Sequence, residues 1–77
     1  MDLWNVDDDT IRKVAAGLAA RQFDLPVSSL TPMRVRRLSG LYADIEVVEH
    51  ANAKRHQVTV YETDLDVYID ARRKGNI

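Results

Sequence analysis

Residues 42–60 read YADIEVVEHANAKRHQVTV, and the fold of the chain depends on whether this stretch is a hairpin or a helix. Its apolar residues recur at every second position on either side of a polar break, at Ala43, Ile45, Val47, Val58 and Val60. A period of two is typical of strands that bury one face. The break contains Asn52, a residue that suits a turn. The stretch therefore predicts two antiparallel strands joined by a turn.

The same alternation predicts a register for this hairpin. A four-residue turn at residues 51–54 sets Val47 opposite Val58 and Glu49 opposite His56. A slip of one residue would send every side chain to the wrong face, so the apolar residues must align across the strands. A surface pair between Glu49 and His56 is expected.

The preceding residues 33–42, MRVRRLSGLY, continue the period of two and predict a first strand from Met33. Met33 and Val35 are expected to face inward. The turn is predicted at Leu38-Ser39-Gly40, with glycine in the left-handed conformation. This turn sets three cross-strand pairs, which are Val35 with Ala43, Arg34 with Asp44, and Arg36 with Tyr42.

Helical spacing of apolar residues appears at both ends of the chain. The first helix is predicted to begin at the aspartates of residues 7–9, which cap it, and to end before Pro26. Leu30, in the loop that follows, is expected to enter the core. The second helix is predicted to begin with a segment resembling a capping box at residues 63–66 and to stop at Gly75.

The predicted order of elements is helix, three strands, helix. We expect an α+β fold of the αβββα type, in a single small domain that covers residues 1–77. The chain has no cysteine, so apolar packing must hold the core, with self-association as a further source of stability. A small all-α bundle is the alternative, because residues 44–55 also place Ile45 and Val48 on one side of a helix.

Two partial resemblances to known families follow. In the helical alternative, chain length and the segment DIEVVE at residues 44–49 resemble acyl carrier proteins, but the phosphopantetheine serine of that family has no counterpart at residues 40–45. In the αβββα interpretation, the order of elements is similar to that of double-stranded-RNA-binding domains. The lysines that begin the second helix of that family are replaced here by Asp64, Asp66 and Asp70, and a shared order does not fix function.

Composition narrows the classes of function. The net charge is -1, from 11 Lys plus Arg and 12 Asp plus Glu, so the chain as a whole has no field that attracts nucleic acid. The acidic first residues lack the basic start of a secretory signal, and no apolar run reaches the roughly 18 residues of a membrane span. A cytoplasmic protein without membrane contact is expected. The chain has neither a glycine-rich phosphate loop nor a nucleophile motif, so we expect no enzymatic activity and no cofactor.

One group of basic and aromatic side chains is the candidate binding site. Its members are Arg34, Arg36, Arg37, Tyr42, Lys54, Arg55 and Tyr61. Arginines beside aromatic rings on an open sheet suit single-stranded nucleic acid, with Arg72 and Arg73 as further contacts. The leading interpretation is a module that binds another protein as an adaptor, inhibitor or assembly factor. A three-stranded sheet leaves an edge open, and Trp4 either adds apolar surface or closes the core.

The arginines also have an internal explanation. Asp44 and Glu46 share their predicted face, and pairing of Arg34 and Arg36 with these two acids across the strands would leave an ordinary solvated surface. This pairing is the expectation that a structure tests most directly.

Two clusters of acidic or histidine residues are expected to hold no metal ion. His50, His56 and Glu49 are close in sequence, but alternation places the two histidines on opposite faces. The aspartates of residues 7–9 are expected to cap the first helix, because adjacent capping acids do not converge as a calcium loop does.

Overall fold

The computed structural model describes residues 2–75 and has the elements in the predicted order. Helix α1 is Asp8–Phe23, strand β1 is Leu30–Arg37, β2 is Tyr42–Glu49, β3 is Lys54–Tyr61, and helix α2 is Glu62–Arg73. Short 3-10 turns lie at Leu3–Asn5 and Val27–Ser29. The αβββα prediction is confirmed. The all-α alternative is wrong, because residues 44–55 form strand and turn.

The three strands form one antiparallel sheet in the order β1-β2-β3, and α1 packs against one face of it. The core lies between them and comprises Leu3, Val6, Ile11, Val14, Ala15, Ala19, Leu30, Ala43, Ile45, Val47, Val58, Val60 and Leu65. On β3, Gln57 and Tyr61 alternate with these buried residues and are exposed. The second face of the sheet is therefore open to solvent.

Helix α1 begins and ends where the sequence predicted. The carboxylate of Asp7 accepts a 2.7 Å hydrogen bond from the Thr10 hydroxyl and a 3.2 Å bond from the Thr10 backbone N–H. These bonds favour the ionised carboxylate and lower the pKa of Asp7 below its usual value. At the other end, Asp24 adopts a left-handed conformation (φ 55°) two residues before Pro26.

The second hairpin has the predicted faces and a different register. Ile45 lies opposite Val58 and Val47 lies opposite His56, so every partner differs by two residues from the prediction. The turn is residues 50–53, and Ala53 adopts a left-handed φ of 55°. A shift of two residues leaves each side chain on the same face, so alternation alone does not distinguish the two registers.

Strand β1 departs further from the prediction. It begins at Leu30, which is buried as expected, and its register shifts between Pro32 and Val35. Pro32 lies opposite Val47 and Val35 opposite Ile45, so Met33 and Arg34 share the single partner between them, as in a β-bulge. The bulge reverses the alternation before Val35. Met33 is 50% exposed, and its predicted inward orientation is wrong.

The first turn also differs from the prediction. Gly40 does not have the positive φ that was expected. Its lack of a side chain has another cause, because a Cβ at Gly40 would lie 2.7 Å from Oδ1 of Asp2. The Gly40 carbonyl accepts a 3.0 Å hydrogen bond from the Leu3 N–H. This places Leu3 in the core, while Trp4 is 59% exposed and does not close it.

Helix α2 begins two residues earlier than a cap at Thr63 would imply, because β3 continues into it without a loop. The Glu62 N–H donates to the Leu41 carbonyl (2.9 Å), and the Tyr61 N–H donates to Oδ2 of Asp64 (2.9 Å). The helix ends before Gly75, whose φ of 74° suits its predicted role as a stop. No helix among residues 2–75 is long and apolar enough to cross a membrane.

Candidate binding face

The sheet face turned away from α1 brings together five of the seven candidate residues. We call it the outer face; it comprises Arg34, Arg36, Tyr42, Asp44, Glu46, Arg55, Gln57, Thr59 and Tyr61. An open depression of about 410 Å³ lies on it, and its lining includes Arg34, Arg36, Asp44, Glu46, Arg55 and Gln57. Side chains of all three strands therefore meet at one surface.

The two acids of the outer face are turned toward β3. Glu46 forms an ion pair with Arg55, with 3.2 Å between Oε1 and Nε. Asp44 accepts a 2.8 Å hydrogen bond from the Thr59 hydroxyl. Both carboxylates thus have partners on the strand opposite to β1. The geometry reduces their capacity to neutralise cations on β1.

The expected pairing of Arg34 and Arg36 with these acids is wrong. Arg36 lies opposite Asp44 in the register, and Arg34 shares the position opposite Glu46 because of the bulge. Within residues 2–75, neither arginine forms an ion pair or a side-chain hydrogen bond. Both are exposed. Two guanidinium groups on one open surface are therefore available to an external anion.

An aromatic pair lies at the end of this surface beside the first turn. Tyr42 and Tyr61 face each other across β2 and β3, with ring centroids 6.1 Å apart and an interplanar angle of 37°. Tyr61 is 53% exposed and Tyr42 is 37% exposed. Exposed tyrosine rings combine apolar area with a hydroxyl group, a combination common at binding surfaces.

Arg37 is placed inside the fold instead of on the outer face. Its Nη2 forms a 2.6 Å ion pair with Oδ1 of Asp8 and donates to the Val6 carbonyl at 2.7 Å. Its Nε donates to the Leu3 carbonyl at 3.1 Å. Only 20% of the side chain is exposed. Arg37 therefore fastens the N-terminal segment to β1 and to the start of α1.

The remaining basic candidates lie outside the outer face. Lys54 begins β3 and is exposed, and it has no ion pair within the described part of the chain. Arg72 and Arg73 lie on α2, where the Arg72 guanidinium is 5.8 Å from the centre of the Tyr68 ring. The basic residues of the chain thus form separate groups and not one continuous stripe.

The pair of Glu49 and His56 forms as predicted but is not at the surface. Nε2 of His56 is 3.2 Å from Oε1 of Glu49, and their side chains are largely buried. The imidazole ring also packs on Phe23 at the end of α1, with 4.2 Å between ring centroids. His50 is elsewhere, in contact with the Thr31 hydroxyl. No group of three or more His, Cys, Asp or Glu side chains among residues 2–75 is arranged to hold a metal.

One feature of the surface was not predicted from the sequence. Arg21 and Gln22 of α1 lie beside β3 and line an open groove with Val58, Thr59 and Tyr61. Their position at the end of a helix, off its apolar stripe, marks them as exposed, but the contact with β3 depends on how the helix crosses the sheet. The sequence contains no direct signal for that crossing.

A scan of protein-family models finds no match to the chain, and searches of the curated proteins and of the solved structures find none either. Function is therefore inferred from the outer face and its surroundings.

Proposed function

We propose that the chain is a non-enzymatic, cytoplasmic protein-binding module whose outer face binds an acidic segment of a partner protein. The observation that carries the proposal is the state of Arg34 and Arg36. Both are exposed and unpaired among the described residues, although two carboxylates share their face. A partner that supplies carboxylates would complete this surface.

Arginine chemistry supports this choice of partner. The guanidinium group is planar, always charged and less strongly hydrated than an ammonium group, and it binds carboxylates through two parallel hydrogen bonds. Tyrosine and arginine are enriched among residues that dominate the binding energy of protein interfaces. Arg34 and Arg36 thus provide the charged contacts, and Tyr42 and Tyr61 provide apolar area at the end of the same face.

The net charge of the outer face also favours an acidic partner. Three arginines (Arg34, Arg36 and Arg55) stand against two carboxylates (Asp44 and Glu46), which leaves +1 on a chain whose overall charge is -1. The two carboxylates are already engaged by Arg55 and Thr59. Incoming carboxylates therefore meet unpaired cations, and long-range attraction of the whole protein is not required.

Fluorescence anisotropy tests the proposal with a labelled twelve-residue peptide of alternating glutamate and threonine. Replacing Arg34 and Arg36 together by glutamine removes two exposed contacts of roughly 0.2–1 kcal/mol each, so binding should weaken by about two- to thirtyfold. The double substitution of Arg72 and Arg73 by glutamine makes the same charge change on α2 and should leave binding within about twofold. Equal weakening in the two variants, or no binding of the peptide to the unmodified chain, would contradict the proposal.

A second candidate is a nucleic-acid-binding module, which the exposed rings of Tyr42 and Tyr61 beside unpaired arginines also support. The same assay with a labelled twelve-nucleotide thymidine strand separates the two. Nucleic-acid binding that falls steeply with salt, together with no binding of the glutamate peptide, would replace the first proposal by the second.

A further inference from the structure

The two edges of the sheet differ in their capacity to accept another strand. On β1, Pro32 has no N–H, and the register shift that follows it breaks the regular row of backbone groups. In addition, the Met33 carbonyl accepts a 2.9 Å hydrogen bond from Nε of Arg12. The edge of β1 is therefore interrupted at its centre, as protected edges of natural sheets commonly are.

The hydrogen-bonding pattern of β3 follows from contacts near the first turn. The Glu62 N–H donates to the Leu41 carbonyl, so this pair is hydrogen-bonded between β2 and the end of β3. The Leu38 N–H donates to the Tyr42 carbonyl, so the backbone groups of Tyr42 point toward β1 and away from β3. Hydrogen-bonded and non-bonded pairs alternate in antiparallel strands. The residues of β3 bonded to β2 are therefore Lys54, His56, Val58 and Val60.

The intervening residues of β3 direct their backbone groups away from the sheet. These residues are Arg55, Gln57 and Thr59, and Tyr61 follows the same pattern. The Tyr61 N–H is already bonded to Asp64, which confirms its direction. Arg55, Gln57 and Thr59 thus present three N–H and three C=O groups in a regular row along about 13 Å of strand. This row matches an incoming strand of about five residues.

Two cations that have no ion pair within residues 2–75 lie near this edge. On the helix side, an open groove of about 520 Å³ is lined by Leu18, Arg21, Gln22, Val58, Thr59, Tyr61 and Asp64. The carboxylate of Asp64 accepts a hydrogen bond from the Tyr61 N–H and keeps its negative charge. Arg55 is paired with Glu46, so Arg21 and Lys54 are the cations beside the edge that have no ion pair within residues 2–75, and they favour a ligand that carries negative charge.

We infer that the edge of β3 receives an extended acidic segment of a partner protein as a fourth strand. This inference rests on the proposed protein-binding function and adds a second contact to it, because β2 separates the edge of β3 from Arg34 and Arg36. One part of the partner pairs with the edge through backbone hydrogen bonds to Arg55, Gln57 and Thr59, and another part contacts the outer face. The cations beside the edge select carboxylates at alternating positions of the segment. A second copy of the chain fits less well, because antiparallel pairing of two β3 edges would bring Lys54 of each copy toward the Arg21 end of the other.

Amide hydrogen exchange measured by NMR tests the inference with the peptide of alternating glutamate and threonine. In the free protein, the amides of Gln57 and Thr59 should exchange fast, while those of His56 and Val58 are protected. Saturating peptide should slow exchange at Gln57 and Thr59 by at least about tenfold, because their N–H groups gain acceptors. Peptide binding by anisotropy without added protection at Gln57 and Thr59 would overturn strand addition and leave the outer-face proposal intact. If the peptide changes neither amide exchange nor anisotropy, both the strand addition and the outer-face proposal are contradicted.

A backbone substitution gives the second test. Gln57→Pro removes one outward-facing N–H and should preserve the fold, since proline is tolerated where an edge N–H faces solvent. Peptide binding should fall by at least about tenfold, whereas the control Gln57→Ala should bind within about threefold. Thr59→Pro is the substitute if Gln57→Pro does not fold by circular dichroism. Undiminished peptide binding by the proline variant would overturn the inference. Protection of the Thr59 amide that rises with protein concentration in the absence of peptide would also overturn it, because a second copy of the chain would then occupy the edge.

Discussion

The replacement of Arg37 by methionine tests how the N-terminal segment is held. Methionine keeps much of the aliphatic volume of arginine and removes the guanidinium. The ion pair with Asp8 is lost, and the carbonyls of Leu3 and Val6 lose their donors. Because Leu3 is fully buried in the core, the segment that carries it should loosen as well.

The magnitude follows from the contacts of Arg37. A hydrogen bond from a charged donor contributes roughly 1.5–3 kcal/mol when it is buried, and a half-exposed ion pair contributes roughly 0–1 kcal/mol. The Arg37 side chain is 20% exposed and Asp8 is 48% exposed, so values near the lower ends apply. The expected loss in the free energy of unfolding is about 2–4 kcal/mol. For a domain of this size, each kcal/mol lowers Tm by roughly 4–8 °C, which gives a decrease of about 8–32 °C.

Thermal and urea unfolding followed by circular dichroism measure this loss, and fluorescence of Trp4, the only tryptophan, follows the N-terminal segment. Arg36→Met is the matched control, because Arg36 is the preceding residue on the same strand and is exposed. Its effect should lie within roughly 0.5 kcal/mol of zero. Arg37→Lys should fall between the two, since an ammonium group cannot bond three acceptors as a planar fork does. If Arg37→Met and Arg36→Met lower Tm equally, Arg37 does not fasten the segment.

Two further predictions concern the helix cap and the second turn. The lowered pKa of Asp7 means that the folded state prefers the ionised carboxylate. The stabilisation of the fold by this cap is therefore fully present above pH 3.8, the usual pKa of the group, and is lost as the pH falls through the lower pKa of the folded state. The difference in Tm between the unmodified chain and Asp7→Asn should shrink in that acidic range, and a constant difference would contradict the assignment. Ala53→Gly should raise stability by about 0.5–1 kcal/mol in urea unfolding, because Ala53 has a left-handed φ of 55° and glycine adopts it without a steric cost. A loss of stability would show that this strain is absent.

The sequence predicts the faces of the sheet better than its register. Ile45, Val47 and Val58 lie inward as their spacing indicates. The partner of Val47, however, is His56 and not Val58, because registers that differ by two residues satisfy the same alternation. The choice between them is made by turn geometry, where Ala53 takes a conformation that alanine rarely adopts. Nothing in the residue types indicates that choice.

The state of the outer-face arginines depends on contacts too short in range for a sequence pattern to specify. The sequence correctly places Arg36 and Asp44 on one face, and the observed register even sets them opposite each other. Asp44 nevertheless bonds Thr59 on its other side, and Glu46 bonds Arg55. Side-chain rotamers decide which neighbour an acid contacts. The bulge on β1 adds a displacement, for which Pro32 is the only sign in the segment, since proline within a strand occurs mainly at edges and bulges.

The cations along β3 affect both unwanted strand pairing and the choice of a ligand. Charged residues on an edge strand normally prevent pairing with other sheets, and Lys54 and Arg55 meet that description. On β1 the bulge and Pro32 provide this protection by geometry, which acts against every incoming strand. On β3 the backbone row is regular, so only charge protects it, and charge distinguishes between ligands. In the proposed binding mode, it would favour a strand with carboxylates over a second copy of the chain. The edge of β3 is thus protected against self-pairing by the same residues that would make it selective for an acidic partner.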